Sequence, residues 1–276
     1  MSIFSLKPSN PSSRFHHLLV SSSRGVQTIT LNRPDKRNAL CPLLIEELTE
    51  ALDEAVQCDC GVVVLTGAGS AFCAGLDMDN LAVMHASTLE EHRRDSENMA
   101  RVLRALYEFP KPIIAAVNGP AIAGGMALAT LCDFTYAAPE ARFGYTEVRV
   151  GFTPAIVATF LRRQMGEKRT RELLLSGRIL KAEEAMRLGL VTRVVPCEEL
   201  MAEAHALAQS LLLNSPQAMR TVKQLLVHHD AAQLEEEIEA AIAANAEQHS
   251  SEDFREGVRA FHDHRRADWP SRHVKV

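Results

Sequence analysis

Two short stretches of this chain set glycine where a strand could give way to a helix: Phe72-Cys73-Ala74-Gly75-Leu76-Asp77 and Ala123-Gly124-Gly125-Met126. Each can present an unpaired backbone N–H at a helix start. Two such donors converging on one point make an oxyanion hole. The plainer alternative is that these glycines only permit tight turns. A third stretch, Phe143-Gly144-Tyr145-Thr146-Glu147-Val148, sets a single carboxylate among apolar neighbours. Burial would raise its pKa toward a value useful for acid–base work. The competing reading is a salt bridge from Glu147 to Arg142, Arg149 or another arginine.

Other chemistries lack their parts. Gly67, Gly69 and Gly75 do not form the G-x-G-x-x-G dinucleotide spacing, and no phosphate loop or G-x-S-x-G elbow occurs. His228-His229-Asp230 and His262-x-His264 read as surface groups on polar helical faces, without a third clustered ligand. His85 and His92 follow the first glycine stretch and could enter a pocket. Glu235-Glu236-Glu237 reads as a solvated helix face. Cys41, Cys58, Cys60, Cys73, Cys132 and Cys197 are scattered and include no C-x-x-C pair, so the expectation is reduced cytoplasmic thiols and no metal site.

The elements that must position these residues follow from periodicity. Residues 26–31 read as a strand, with a turn over 22–25 before it. Apolar residues at 44, 48, 51, 52 and 55 share one face of a helix over 42–57. The all-apolar run 62–65 suits a strand buried on both faces, and a loop over 66–77 follows. A helix over 88–108 stops at Pro110 and Pro112. Strand 113–117, the turn Asn118-Gly119-Pro120 and a helix over 124–131 come next, then short strands at 134–137 and 141–143. Thr153-Pro154 is a good helix start, with Thr as N-cap. From about 198 onward the chain reads as helical, with one stripe at Leu234, Ile238, Ala241 and Ile242 and another at Phe254, Val258 and Phe261. Strands and helices alternate and then only helices remain, which implies an α/β core with a helical C-terminal part.

Composition narrows the function. The 276 residues carry a formal charge of −5 and are 46% apolar, which fits a folded domain and disfavours a non-specific nucleic-acid binder. The Ser/Pro-rich residues 1–13 read as a tail and not as a secretory signal. The uncharged run from Pro112 to Cys132 is broken by Asn118-Gly119-Pro120 and Gly124-Gly125, so a buried strand–turn–helix is expected instead of a membrane span.

From about residue 14 to 269 the chain resembles the enoyl-CoA hydratase/isomerase (crotonase) family. The matching segments are Asn32-Arg33-Pro34-Asp35-Lys36-Arg37-Asn38-Ala39-Leu40, Val63 to Gly67, Phe72 to Asp77, Lys111 to Gly119, Ala123-Gly124-Gly125, Cys132-Asp133, Ala141 to Gly144, Leu174 to Arg178 and Ala185 to Val191. Each is weak alone; their order and spacing together are specific. The resemblance implies a crotonase-like α/β spiral of ββα repeats over 14–197 and a helical trimerisation region over 198–276. It implies an acyl-coenzyme A thioester as substrate, no separate cofactor, and a homo-oligomer, trimer or hexamer. The N–H groups of Leu76 and Gly124 match the family's oxyanion hole, which stabilises a thioester enolate. Arg37 and Ala39 match the first coenzyme A segment; Ala74, Gly75, Asp77 and Gly125 match the remaining substrate-binding positions. Arg33, Lys36 and Arg37 would supply positive charge for the anionic ligand.

One departure bears on the reaction. Hydratases of the family use two glutamates. Glu147 matches the second, but Ala127 stands where the first is expected, a position that the resemblance turns toward the reacting carbons. One carboxylate suffices to move a proton along an enolate, so 3-enoyl to 2-enoyl isomerisation and hydration both stay open. A substitute acid could come from His85, Glu90, Glu91, His92 or Asp95. Decarboxylation and a non-catalytic coenzyme A-binding role are the alternatives. A peptidase on the same fold would need a Ser-His pair beside the oxyanion hole, and none is placed there.

Overall fold

The computed structural model describes residues 14–80 and 88–273. The tail expected over 1–13 lies outside them, as does His85. Nine strands and ten α-helices are formed among the described residues. The strands are β1 (Leu18–Ser23), β2 (Val26–Leu31), β3 (Val62–Gly67), β4 (Ile113–Val117), β5 (Ala121–Ile122), β6 (Phe134–Ala137), β7 (Arg142–Gly144), β8 (Leu180–Lys181) and β9 (Arg193–Val194). The helices that position the site are α1 (Pro42–Gln57), α2 (Leu89–Tyr107), α3 (Gly124–Thr130) and α4 (Ala155–Met165). They continue as α5 (Glu167–Ser176), α6 (Ala182–Arg187), α7 (Leu200–Leu211), α8 (Pro216–His228), α9 (Ala231–His249) and α10 (Glu252–His262).

A six-stranded sheet runs in the order β1-β2-β3-β4-β6-β9, antiparallel at its first pair and parallel elsewhere. A smaller sheet orders β5-β7-β8. The central strands β3 and β4 are apolar on both faces because helices cover both. Residues such as Val63, Leu65, Ala115 and Val117 enter the main core, while Val62, Val64, Ile114 and Ala116 pack with α7. No described helix is long and apolar enough to cross a membrane.

Several expectations change. β1 extends to Ser23, so the turn is confined to Arg24-Gly25, both at positive φ. Pro154, not Thr153, is the N-cap of α4, and no side chain caps that helix. Cys58 and Cys60 are paired as a disulfide where free thiols were expected; the chain leaving α1 folds both sulfurs toward Gln27. The face Glu235-Glu236-Glu237 is not merely solvated, since Glu235 pairs with Arg104 and Glu237 with Arg162 and Arg163. The stripe of Phe254 and Val258 is covered within the chain, against Leu76, Met78 and Phe152, and only Phe261 stays half-exposed.

Candidate active site

The first glycine stretch and the second are laced together by backbone bonds. The N–H groups of Phe72 and Cys73 donate to the Pro120 carbonyl, and Ile122 N–H donates to Cys73 at 2.9 Å. Gly125 is required here: a Cβ on it would lie 2.3 Å from the Cys73 carbonyl oxygen. On the other side, Leu40 N–H donates to Gly75 at 2.7 Å and Asp77 N–H returns to Leu40 at 2.9 Å. Buried Asn38 fixes the same loop, its amide donating to the carbonyls of Ala68 and Ala71. Among the described residues, no acceptor takes the N–H of Leu76 or of Gly124. Both residues border one cavity of about 460 Å³.

Ala123 sets the aim of the second donor. It holds φ 52° and ψ −125°, a conformation that L residues other than glycine rarely adopt. Its N–H donates to Gly144 at 2.7 Å, which ties the start of α3 to the end of β7.

Glu147 follows three residues after β7, opening a 3₁₀ turn over Glu147–Val150. It is 8% exposed and borders the same cavity as Leu76 and Gly124. No arginine pairs with it among the described residues, so the salt-bridge reading fails. Its Oε2 has no hydrogen-bond partner there. Burial pushes its carboxyl up to about 7, opposed only by its own backbone N–H. A carboxylate poised near neutral pH is a competent proton carrier. The turn is held from below by α10: a Cβ on Gly257 would meet the Val150 carbonyl at 2.2 Å.

The other expected residues divide. Ala74 and Asp77 border the cavity; Ala39, Gly75 and Gly125 shape its backbone without bordering it. Arg33 is held by Asp77 at 2.9 Å in a largely buried pair, while Lys36 meets Asp79 at 2.7 Å in an exposed one. Arg37, in the left-handed region at φ 50°, has no carboxylate partner among the described residues. Ala127 is 2% exposed and packs in the main core, three residues along α3 from Gly124, which borders the cavity.

Of the candidate substitute acids, Asp95 borders the cavity, and burial raises its pKa. Glu91 is committed to the capping box of α2 with Thr88, and Glu90 is exposed. His92 is buried against His249, their ring centroids 5.0 Å apart. His249 itself, with Asn245 and Ser96, had no sequence signal. Ser96 sits in the polar first half of α2 and the other two on α9, and the packing of α2 on α9 turns them to the cavity.

The family model for enoyl-CoA hydratase/isomerase matches residues 21–272. The chain belongs to the enoyl-CoA hydratase/isomerase family. It is 43% identical over 242 residues to a putative enoyl-CoA hydratase of Thermus thermophilus, covering 87% of this chain and 95% of the relative. It is 34% identical over 264 residues to the 2,3-dehydroadipyl-CoA hydratase of Escherichia coli, covering 92% and 99%. Among solved structures, an enoyl-CoA hydratase/isomerase from Xanthobacter autotrophicus Py2 superposes with a TM-score of 0.83 at 30% identity, covering 95% of this chain and all of that one. The family's crotonase fold is therefore the fold of this chain, and acyl-CoA chemistry is the family's chemistry. Among the described residues, no group of three or more His, Cys, Asp or Glu side chains is arranged to hold a metal ion.

Proposed function

We propose that the chain converts 3-enoyl-CoA to 2-enoyl-CoA thioesters through an enolate, with Glu147 as the only acid–base group. The carrying observation is one buried, unpaired carboxylate beside two uncommitted N–H donors. The thioester oxygen accepts from Leu76 and Gly124. Ionised Glu147 takes a proton from C2, and the electron pair moves onto that oxygen, where the two donors favour it. Protonated Glu147 then returns the proton at C4, and the double bond moves from C3–C4 to C2–C3. The same proton serves both steps, so one group near pH 7 suffices. Ala74, Gly75 and Gly125 shape the binding cleft, Asp77 holds Arg33 against it, and Arg37 with the Ala39 backbone receives the coenzyme A moiety.

A second reading, hydration of 2-enoyl thioesters, is favoured by the relatives' names and by Asp95 on the cavity wall, which would be the second acid. A coupled assay on matched 2-enoyl and 3-enoyl thioesters separates the two. Isomerisation predicts faster turnover of the 3-enoyl substrate, and faster hydration of the 2-enoyl substrate overturns it.

The oligomeric reading, trimer or hexamer, now rests on α8. None of its residues is buried, and Val222, Leu225 and Leu226 are exposed on it. A contiguous apolar face of this kind is usually covered by a partner.

A further inference from the structure

The part of the cavity walled by α2 and α9 is polar where an acyl pocket for a plain alkyl chain would be greasy. Ser96, Asn245 and His249 border it, each at most 5% exposed. Among the described residues, Ser96 Oγ, Asn245 Oδ1 and both ring nitrogens of His249 have no hydrogen-bond partner. Buried polar atoms are nearly always paired, so four orphans on one wall mark a place built for a polar guest. The His249 ring is not loose. Phe152 stacks on it at 4.6 Å with planes 10° apart, and Phe254 closes another side at 5.2 Å. Its faces are packed, and its nitrogens are buried without a partner among the described residues. Together the groups offer both donors and acceptors: a hydroxyl, an amide oxygen, and an imidazole with one N–H and one bare nitrogen.

Resting on the acyl-CoA reading of this site, we infer that this wall recognises an uncharged hydrogen-bonding group, a hydroxyl or a carbonyl, carried by the acyl chain beyond the thioester. The coenzyme A moiety is too anionic to lie among such buried side chains. An acyl carboxylate is disfavoured as well: no Lys or Arg borders the cavity among the described residues, and Asp95 does border it. A plain alkyl chain leaves all four polar atoms unpaired, whereas a hydroxyl or carbonyl that reaches them gains the hydrogen bonds they lack.

Calorimetry on the full chain tests this with saturated acyl-CoA thioesters, which bind without reacting. The set holds heavy-atom count constant and varies the distal group: methyl, hydroxyl at successive carbons, keto and carboxylate. The expected result is that at least one hydroxyl or keto thioester binds about five- to tenfold tighter than its alkyl match, the worth of one or two net hydrogen bonds. Asn245→Leu should reduce that preference to about twofold or less. Should that variant fail to fold, Ser96→Ala removes one oxygen only and reads out the same loss. Alkyl thioesters binding as well as every polar one would overturn the inference while leaving the acyl-CoA reading intact. Preference for the carboxylate would overturn the uncharged assignment. No binding of any thioester would overturn both.

Discussion

Arg33 reaches across from the turn after β2 to place its guanidinium 2.9 Å from Asp77, while its other nitrogen donates to the Ala39 carbonyl. The pair therefore clamps the segment carrying Leu76 to the segment carrying Arg37. Both side chains are largely buried, so the contact is not screened away as a surface pair would be. Asp77→Asn should lower unfolding stability by about 1.5–3 kcal/mol, the worth of a charge-assisted bond. Denaturant titration showing no loss would mean the clamp is idle.

Among the described residues Arg37 has no carboxylate partner, whereas Arg33 is held by Asp77 and Lys36 meets Asp79, so the proposed coenzyme A contact rests first on Arg37. Arg37→Ala should weaken acetyl-CoA binding several-fold at low salt and flatten its salt dependence. Calorimetry in which Lys36→Ala has the larger effect would reverse that assignment.

Ala123 holds a backbone conformation costly for any residue with a Cβ. Ala123→Gly should relieve it and raise stability by about 1 kcal/mol, seen as a higher melting temperature. A fall in melting temperature would show that the methyl group's contacts outweigh the strain.

Burial lifts Glu147 from 4.5 to about 7. Between those values the folded chain holds a proton that the unfolded chain has released, so stability falls as pH rises through this window. Glu147→Gln carries no such penalty. Its stability advantage should be small near pH 4.5 and grow to about 3 kcal/mol above pH 7. Turnover of the wild type should decline as pH drops below about 7, since proton removal needs the ionised form. Parallel denaturation curves at the two pH extremes would contradict both statements.

The exposed face of α8 predicts self-association. Light scattering at micromolar concentration should give a trimer or hexamer mass, and Leu225→Asp should reduce it. A monomer mass for the wild type would remove that proposal.

The strands and helices around the site were legible because each has a single dominant period. The apolar spacing over 42–57 and the uninterrupted runs at 62–65 and 113–117 leave little choice of element. The two-residue strands β5, β8 and β9 carry no period and exist only through their partners. Glu147 and the two glycine stretches were readable from local context. Asn245 and His249 were not, because they meet the cavity only through the packing of α9 on α2.

In the proposed reaction Glu147 carries a proton to and from a thioester enolate. Deuterium incorporation at C2 of an acyl-CoA thioester in deuterated water measures that step directly, whatever reaction follows it. The wild type should exchange this position, and Glu147→Gln should slow the exchange by about 10²–10⁴-fold with thioester affinity little changed. Exchange at the wild-type rate in Glu147→Gln would contradict that role for Glu147.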